Sequence, residues 1–503
     1  MFAHTLACTV LGSDAVPVVV EASAEKGLPF ITIIGMRQSD AIETRERVKC
    51  GLTSLGIDIG LRRLVVSIAP ADLPKSGAAL DVPIALAILG ALGHVSAERI
   101  ATTASHGEIG LDGRIRPADG VVASAFAALR AGAKEFITSA SLAGRAALAD
   151  TPVIPATSMH DVIGHLQGVS PIERALAASF GGDVAAEGDL SDVRSQAAAV
   201  EATIIAAAGG HNMLLFGVPG SGKTMLAERL PGLLPDLGAH AALEVATIHD
   251  AAGFRERALE LRPPFRAPHH TISSAALVGG GSIRPIVGEV TLAHHGVLFL
   301  DELPEFRPGA IDALRQPLED HEVRLRRAGW IARYPCQMQL VAAMNLCRCG
   351  RDGATSGAAC TCTERAKEAY RQRISGAIID RFDLRIRLRP SASILAGTVT
   401  SSSRDAAVRV AVARARQHDR WGASLLNAHM SSANDPRFQL DPASFRELVD
   451  RVAKHADGGR VQRAAVRVAR TIADLDDRDF VSPDDVMTAY DLCRTNVRGS
   501  GSE

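Results

Sequence analysis

Gly217-Val218-Pro219-Gly220-Ser221-Gly222-Lys223-Thr224 constrains this chain more than any other stretch. It fits G-x-x-x-x-G-K-[ST] at every fixed position, with an apolar run over residues 213–216 before it and a helical pattern from Lys223 onward. A loop of this kind works only where a buried strand ends and a helix begins. Its glycines let backbone N–H groups turn inward around phosphates, and the helix N-terminus adds a favourable dipole. The chain must therefore build a parallel sheet flanked by helices. Gly217, Gly220, Ser221 and Gly222 form the cradle, Lys223 carries charge to the β/γ-phosphates, and the Thr224 hydroxyl suits Mg²⁺.

Two further apolar runs end in polar residues. Val297-Leu298-Phe299-Leu300 delivers Asp301 and Glu302. At a strand end beside such a loop, Asp301 joins the Mg²⁺ shell and Glu302 polarises the attacking water; the bland alternative is a pair of helix-capping acids. The run over residues 338–342 leads to Asn345, a γ-phosphate sensor or a turn residue. Asp380-Arg381-Phe382-Asp383 offers Arg381 as an arginine finger onto a neighbouring subunit's nucleotide, which implies a ring. Arg460, opening a helix near the end of the chain, closes over the same nucleotide or is an ordinary surface arginine. ATP and Mg²⁺ are the expected cofactors.

A chain of 503 residues has room for three or four cores. Residues 1–180 alternate strand-like stretches (16–20, 30–34, 64–68) with helical ones (39–55, 83–92). The Gly- and acid-rich residues 181–189 suggest a linker. Residues 190–390 carry the phosphate motif, with a helix expected over 195–208. Residues 391–503 are almost wholly helical in pattern, over 405–417, 442–454, 460–475 and 483–494. Ser482-Pro483-Asp484-Asp485 is a strong helix start. Seventy-eight residues separate Lys223 from Asp301, long enough for functional inserts.

With 55 basic and 56 acidic residues, any nucleic-acid site must be local. Residues 322–333, EVRLRRAGWIAR, supply one: they alternate like a hairpin, and Arg324, Arg326, Arg327 and Arg333 outweigh Glu322 to give +3. Repeated around a pore, that charge would track DNA; alone it is a solvated hairpin face. Four of the eight cysteines, Cys347, Cys349, Cys360 and Cys362, fall within sixteen residues. Four soft ligands on a short Gly-rich excursion suit structural Zn²⁺, with reduced buried thiols or an iron–sulfur cluster as alternatives. This clustering, the absence of an apolar run long enough for a membrane span, and the poor leader character of the first residues point to a cytoplasmic protein without membrane association. The twin histidines 269–270 and 294–295 have no acids at ligand spacing and read as loop or packing residues.

Together these residues resemble the ComM/YifB-like family of magnesium-chelatase-related AAA+ ATPases. The segments FRAPHHTISSAALVGGG (265–281) and GEVTLAHHG (288–296) look like that family's signatures. The resemblance runs nearly end to end. It implies an α/β fold with an AAA+ P-loop core, an α-helical lid and an N-terminal Lon-protease-like α+β domain. It also implies a homo-oligomer, a hexamer, that drives DNA branch migration in recombination of incoming DNA. Other outcomes are a motor for metal insertion into a tetrapyrrole and a protein-remodelling ATPase. The family's sensor motif departs here to Asp457-Gly458-Gly459-Arg460, with Arg463 as the fallback. Segments 73–83 and 107–115 are similar to those around the Lon Ser–Lys dyad, but Ala78, Ala79 and Val122 stand where nucleophile and base would be. Acyl transfer then has no route.

Overall fold

The computed structural model describes the chain except for residues 59, 76, 182–187, 255–258, 282–285, 328–329, 355–358, 390–400, 423–424, 431, 433, 456–457 and 496–503. For residues 327 and 330 it describes the backbone alone. The expected linker over 181–189 and the start of the 391–503 segment fall mostly outside the described residues.

A five-stranded, all-parallel sheet carries the phosphate motif. Its spatial order is Phe265–Arg266, Val297–Leu300, Gln339–Met344, Met213–Gly217, Leu384–Leu388. The three central strands are buried along their whole length, as expected for apolar strands covered on both faces. The strand leading to Asn345 lies between the phosphate-loop strand and the acidic strand. It begins and ends later than expected, because its apolar run continues through Ala343 and Met344.

Helix Ala197–Gly209 covers one face and is buried from Ala199 onward save Glu201. It starts two residues later than expected and ends at Gly210, which closes it with φ 70. Helices Ser403–Trp421 and Gly459–Leu475 pack on it through Val410, Ala413, Ala465 and Val468. Helices Pro442–His455 and Pro483–Arg494 complete the helical bundle. At the anticipated helix start, Ser482 and Asp485 form a capping box, each side chain bonded to the other's backbone N–H.

Residues 2–156 build a second, mixed sheet of seven strands. Its order is Phe30–Ile34, Arg62–Ala69, Asp14–Lys26, Phe2–Leu11, Thr103–His106, Glu135–Ser139, Val153–Ala156. The Phe2–Leu11 strand escaped the sequence pattern because polar Thr5 and Thr9 fall on its buried positions. Helix Gln38–Ser54 matches expectation within a residue, and the apolar helix Asp81–Leu92 starts two residues early. The two sheets meet through helix Ala239–Ala251. Its Asp250 accepts the Val122 N–H at 3.0 Å and so caps helix Val121–Arg130.

Candidate nucleotide site and cysteine centre

The parallel register brings Gly217, Asp301 and Asn345 to the same end of the sheet, because Phe216 pairs with Met344 and Leu300 with Ala342. Gly220 and Gly222 have φ of 74° and 95°, a left-handed backbone that turns the loop's amides inward. Lys223 Nζ donates to Gly217 O at 3.1 Å and Val218 O at 2.8 Å. Burial lowers its pKa, and nearby Asp301 opposes that shift. Thr224 Oγ1 donates to Asp301 Oδ2 at 2.9 Å. The hydroxyl and carboxylate thus form a paired oxygen site of the kind Mg²⁺ takes.

Glu302 adopts φ 52, which few non-glycine residues do, and its N–H donates to Asp301 Oδ1 at 2.8 Å. Its carboxylate lies 3.3 Å from His270 Nδ1. Thus one of the twin histidines finds an acid that sequence spacing did not reveal.

Arg381 and Arg460 are elsewhere. Asn212 Nδ2 donates to the Arg381 backbone oxygen at 3.0 Å, just before the Met213–Gly217 strand begins. Roughly 15 Å of strand therefore separates Arg381 from the phosphate loop. Arg381 pairs with Glu319, and Arg460 bridges Asp380 at 2.9 Å. Burial, Arg460 and Arg315 all lower the Arg381 pKa, which marks a cationic cluster at this end of the sheet. Arg460 was expected over a nucleotide; it sits beside Arg381 and away from the chain's own phosphate loop. Asp383 ties this segment to the helical bundle through Arg467 at 2.7 Å and through His211, which also contacts Thr471.

The four cysteines converge. Cys347 Sγ lies 3.3 Å from Cys349 and 3.7 Å from Cys360, Cys349 lies 3.5 Å from Cys360, and Cys362 falls within 4.8 Å of the others. Tetrahedral Zn²⁺ at about 2.3 Å from each sulfur would hold such pairs about 3.8 Å apart. The donor set fits a closed structural site. The Arg351 backbone N–H, with the neighbouring thiols, pulls Cys349 down to about 6.

The basic hairpin is present as strands Glu322–Arg327 and Trp330–Pro335, with Arg324 opposite Arg333 and Arg326 opposite Ile331. Alternation puts Arg324, Arg326 and Arg333 on one face, while Val323, Ala332 and Tyr334 are buried on the other. Glu322 lies 2.9 Å from Arg324 and 3.9 Å from Arg333. Arg327 pairs with Trp330 at a register position of the buried face; its side chain lies outside the described residues.

Family models cover most of this architecture. Magnesium chelatase, subunit ChlI, matches residues 189–394, its C-terminal model matches 400–492, and a further ChlI model matches 20–141. YifB of Escherichia coli (strain K12) is 37% identical over 95% of this chain and 94% of its own length. The chain belongs to the YifB/ComM family of magnesium-chelatase-related proteins. Competence protein ComM of Haemophilus influenzae (strain ATCC 51907 / DSM 11121 / KW20 / Rd) is 36% identical over 92% of each chain. A shorter match, 29% identical over 135 residues, covers 24% of this chain and 22% of Lon protease 2 of Bacillus subtilis (strain 168). Family membership supports ATP hydrolysis as the general activity. Among the described residues no helix is long and apolar enough to cross a membrane.

In this YifB/ComM-family chain, Ala78 and Ala79 follow Gly77 into a short 3₁₀ turn, and Val122 is fully buried with its N–H on Asp250. Neither position offers a nucleophile or a base. The second histidine pair meets Glu244, fifty-one residues before His295: His295 Nε2 is 2.7 Å and His294 Nε2 3.5 Å from Glu244 Oε2. The Gln337 N–H occupies His294 Nδ1 at 3.1 Å, so the proton of the neutral ring sits on Nε2 and points to Glu244. The three side chains thus contact one another, with their ligand atoms within 4.8 Å.

Proposed function

We propose that the chain is an ATP-driven ring motor acting on DNA, with branch migration in the recombination of incoming DNA as its work. The observation that carries the DNA reading is the exposed arginine face of the hairpin, Arg324, Arg326 and Arg333, on the strand pair that leads directly into the Asn345 strand. A phosphate backbone is the polyanion such a face suits. The name of the Haemophilus relative, a competence protein, points the same way.

In this reading Gly217, Gly220, Ser221 and Gly222 cradle the phosphates, Lys223 carries positive charge to them, and Asn345 senses the γ-phosphate. Glu302 orients and polarises the attacking water. Thr224 and Asp301 would hold Mg²⁺, which when bound neutralises phosphate charge. Arg381 acts on the neighbouring subunit's nucleotide, since it stands a strand's length from its own; Arg460 beside it serves the same neighbour. That arrangement needs a closed ring, and we take it to be a hexamer. Residues 1–180 are a Lon-like fold without its dyad, used for assembly or DNA contact. Residues 190–390 are the motor, and residues 391–503 its helical lid. The cysteine centre is a zinc site.

ATP turnover measured with no DNA and with single-stranded, duplex and four-way DNA tests the reading. Stimulation by DNA, strongest with a branched substrate, is expected. Turnover indifferent to all three would remove DNA as the substrate.

A further inference from the structure

The cysteine centre presses on the phosphate loop. Gly350 lies in the turn that closes the first cysteine pair, its N–H donated to Cys347 O at 3.0 Å and its φ at 76°. Its bare α-carbon faces the Pro219 ring. A methyl group at the Cβ position would stand 2.6 Å from Pro219 Cγ and 3.2 Å from Cδ, well inside the contact distance of two carbons, about 3.5–4.0 Å. Pro219 cannot rotate its ring away, because the ring is closed onto its own backbone nitrogen. Any relief must move the backbone of the loop between Gly217 and Gly222.

The turn is itself anchored, so it does not yield instead. Asp352 accepts from Lys367 Nζ at 3.0 Å and from Arg371 NH2 at 2.8 Å, and Arg371 Nε donates to Leu346 O at 3.1 Å. Both cations stand on helix Glu364–Arg371, which begins two residues after Cys362. Cys347 in turn follows Asn345 by two residues. The four sulfurs thus join the end of the sensor strand to the start of that helix, with the Cys347–Gly350 turn against the P-loop.

We propose that the cysteine turn is the seat of the P-loop, with Gly350 as a positioning residue, and that a metal held by the four cysteines thereby sets ATP affinity. The second half rests on the zinc reading above. A centre with a purely local folding role would leave nucleotide affinity alone.

The full-length protein with Gly350→Ala tests this, with ATP binding measured by titration calorimetry and zinc by elemental analysis. Gly353→Ala is the control. Gly353 is also left-handed, at φ 83, but a Cβ there would meet only Arg387 NH2 at 3.4 Å and Leu346 Cδ1 at 3.6 Å. Gly350→Ala should raise the ATP Kd about tenfold or more with zinc content unchanged, while Gly353→Ala stays within about twofold of wild type. Adding Pro219→Ala to Gly350→Ala should recover affinity towards that of Pro219→Ala alone, and this comparison decides the matter if the single variant does not fold. Wild-type affinity in Gly350→Ala, or equal weakening in both glycine variants, would overturn the seat. Wild-type protein lacking zinc would instead overturn the metal half, and the contrast between the two glycine variants would still decide the seat.

Discussion

Thr224 Oγ1 and Asp301 Oδ2 are 2.9 Å apart although seventy-seven residues separate them in the chain. The hydroxyl comes from the first turn of the helix after the phosphate loop, the carboxylate from the end of a strand two places away in the sheet. Their meeting creates the oxygen pair on which the nucleotide reading rests, and Glu302 is placed beside it.

Lys223 and Glu302 should fail differently. Lys223→Ala is expected to abolish nucleotide binding, since its ammonium meets the ground-state phosphates. Glu302→Gln should bind ATP as wild type and lose turnover by a factor of about 100 or more, in the range of general-base losses. Nucleotide titration and phosphate release separate the two. Near-normal turnover in Glu302→Gln would reassign the water-polarising role.

Arg381 stands too far from its own phosphate loop to serve it. Arg381→Ala should assemble but hydrolyse ATP about a thousandfold more slowly, as arginine fingers do elsewhere. Mixing it with Lys223→Ala subunits should restore part of the rate, because each variant supplies what the other lacks. Full activity of dilute monomers would show that no neighbour is needed.

Metal removal offers a direct check on the cysteine centre. Elemental analysis should find one zinc per chain, lost in a Cys347→Ser/Cys360→Ser double variant. Chelation should lower solubility and thermal stability, as for structural zinc. A folded, active, metal-free preparation would refute the assignment.

The hairpin prediction is electrostatic. Arg326→Ala with Arg333→Ala should weaken binding to all DNA sequences alike and reduce the salt slope by about one unit per lost phosphate contact. Basal ATPase should stay near wild type. Unchanged affinity and slope would take this face out of the DNA contact and favour protein remodelling.

Acid sensitivity should trace in part to His294. Burial, then His295, holds its pKa down to about 4, with Glu244 opposing. The unfolded chain, near 6.5, binds the proton more readily than the folded one. Stability from this group is therefore present above about pH 6.5 and lost as pH falls towards 4. Thermal midpoints across that window should fall less steeply in His294→Gln than in wild type. Parallel curves would assign the acid loss to other groups.

The features legible in the sequence were local ones. The phosphate loop, the strand Val297–Leu300, the helix Pro483–Arg494 and the cysteine pairs each depend on residues within about one or two turns of chain, where spacing and propensity act directly. Strand ends were less legible: the Asn345 strand ended two residues later than its pattern, and Phe2–Leu11 was masked by buried threonines whose hydroxyls find backbone oxygens, Thr5 at Thr103 on the neighbouring strand and Thr9 at Pro74 in a loop.

What only the tertiary structure decided is which distant residues meet. Strand order is set by how whole layers pack, and no short window encodes it. That order put Asn345 beside Gly217 while sending Arg381 and Arg460 to the opposite end of the sheet. Packing likewise carried Glu244 to His294 and His295, His270 to Glu302, Asp250 to the helix at Val122, and the Pro219 ring onto the bare α-carbon of Gly350. In each case the partners satisfy one another only after the apolar faces between them are buried, so the sequence names the chemical groups and the packed core selects their neighbours.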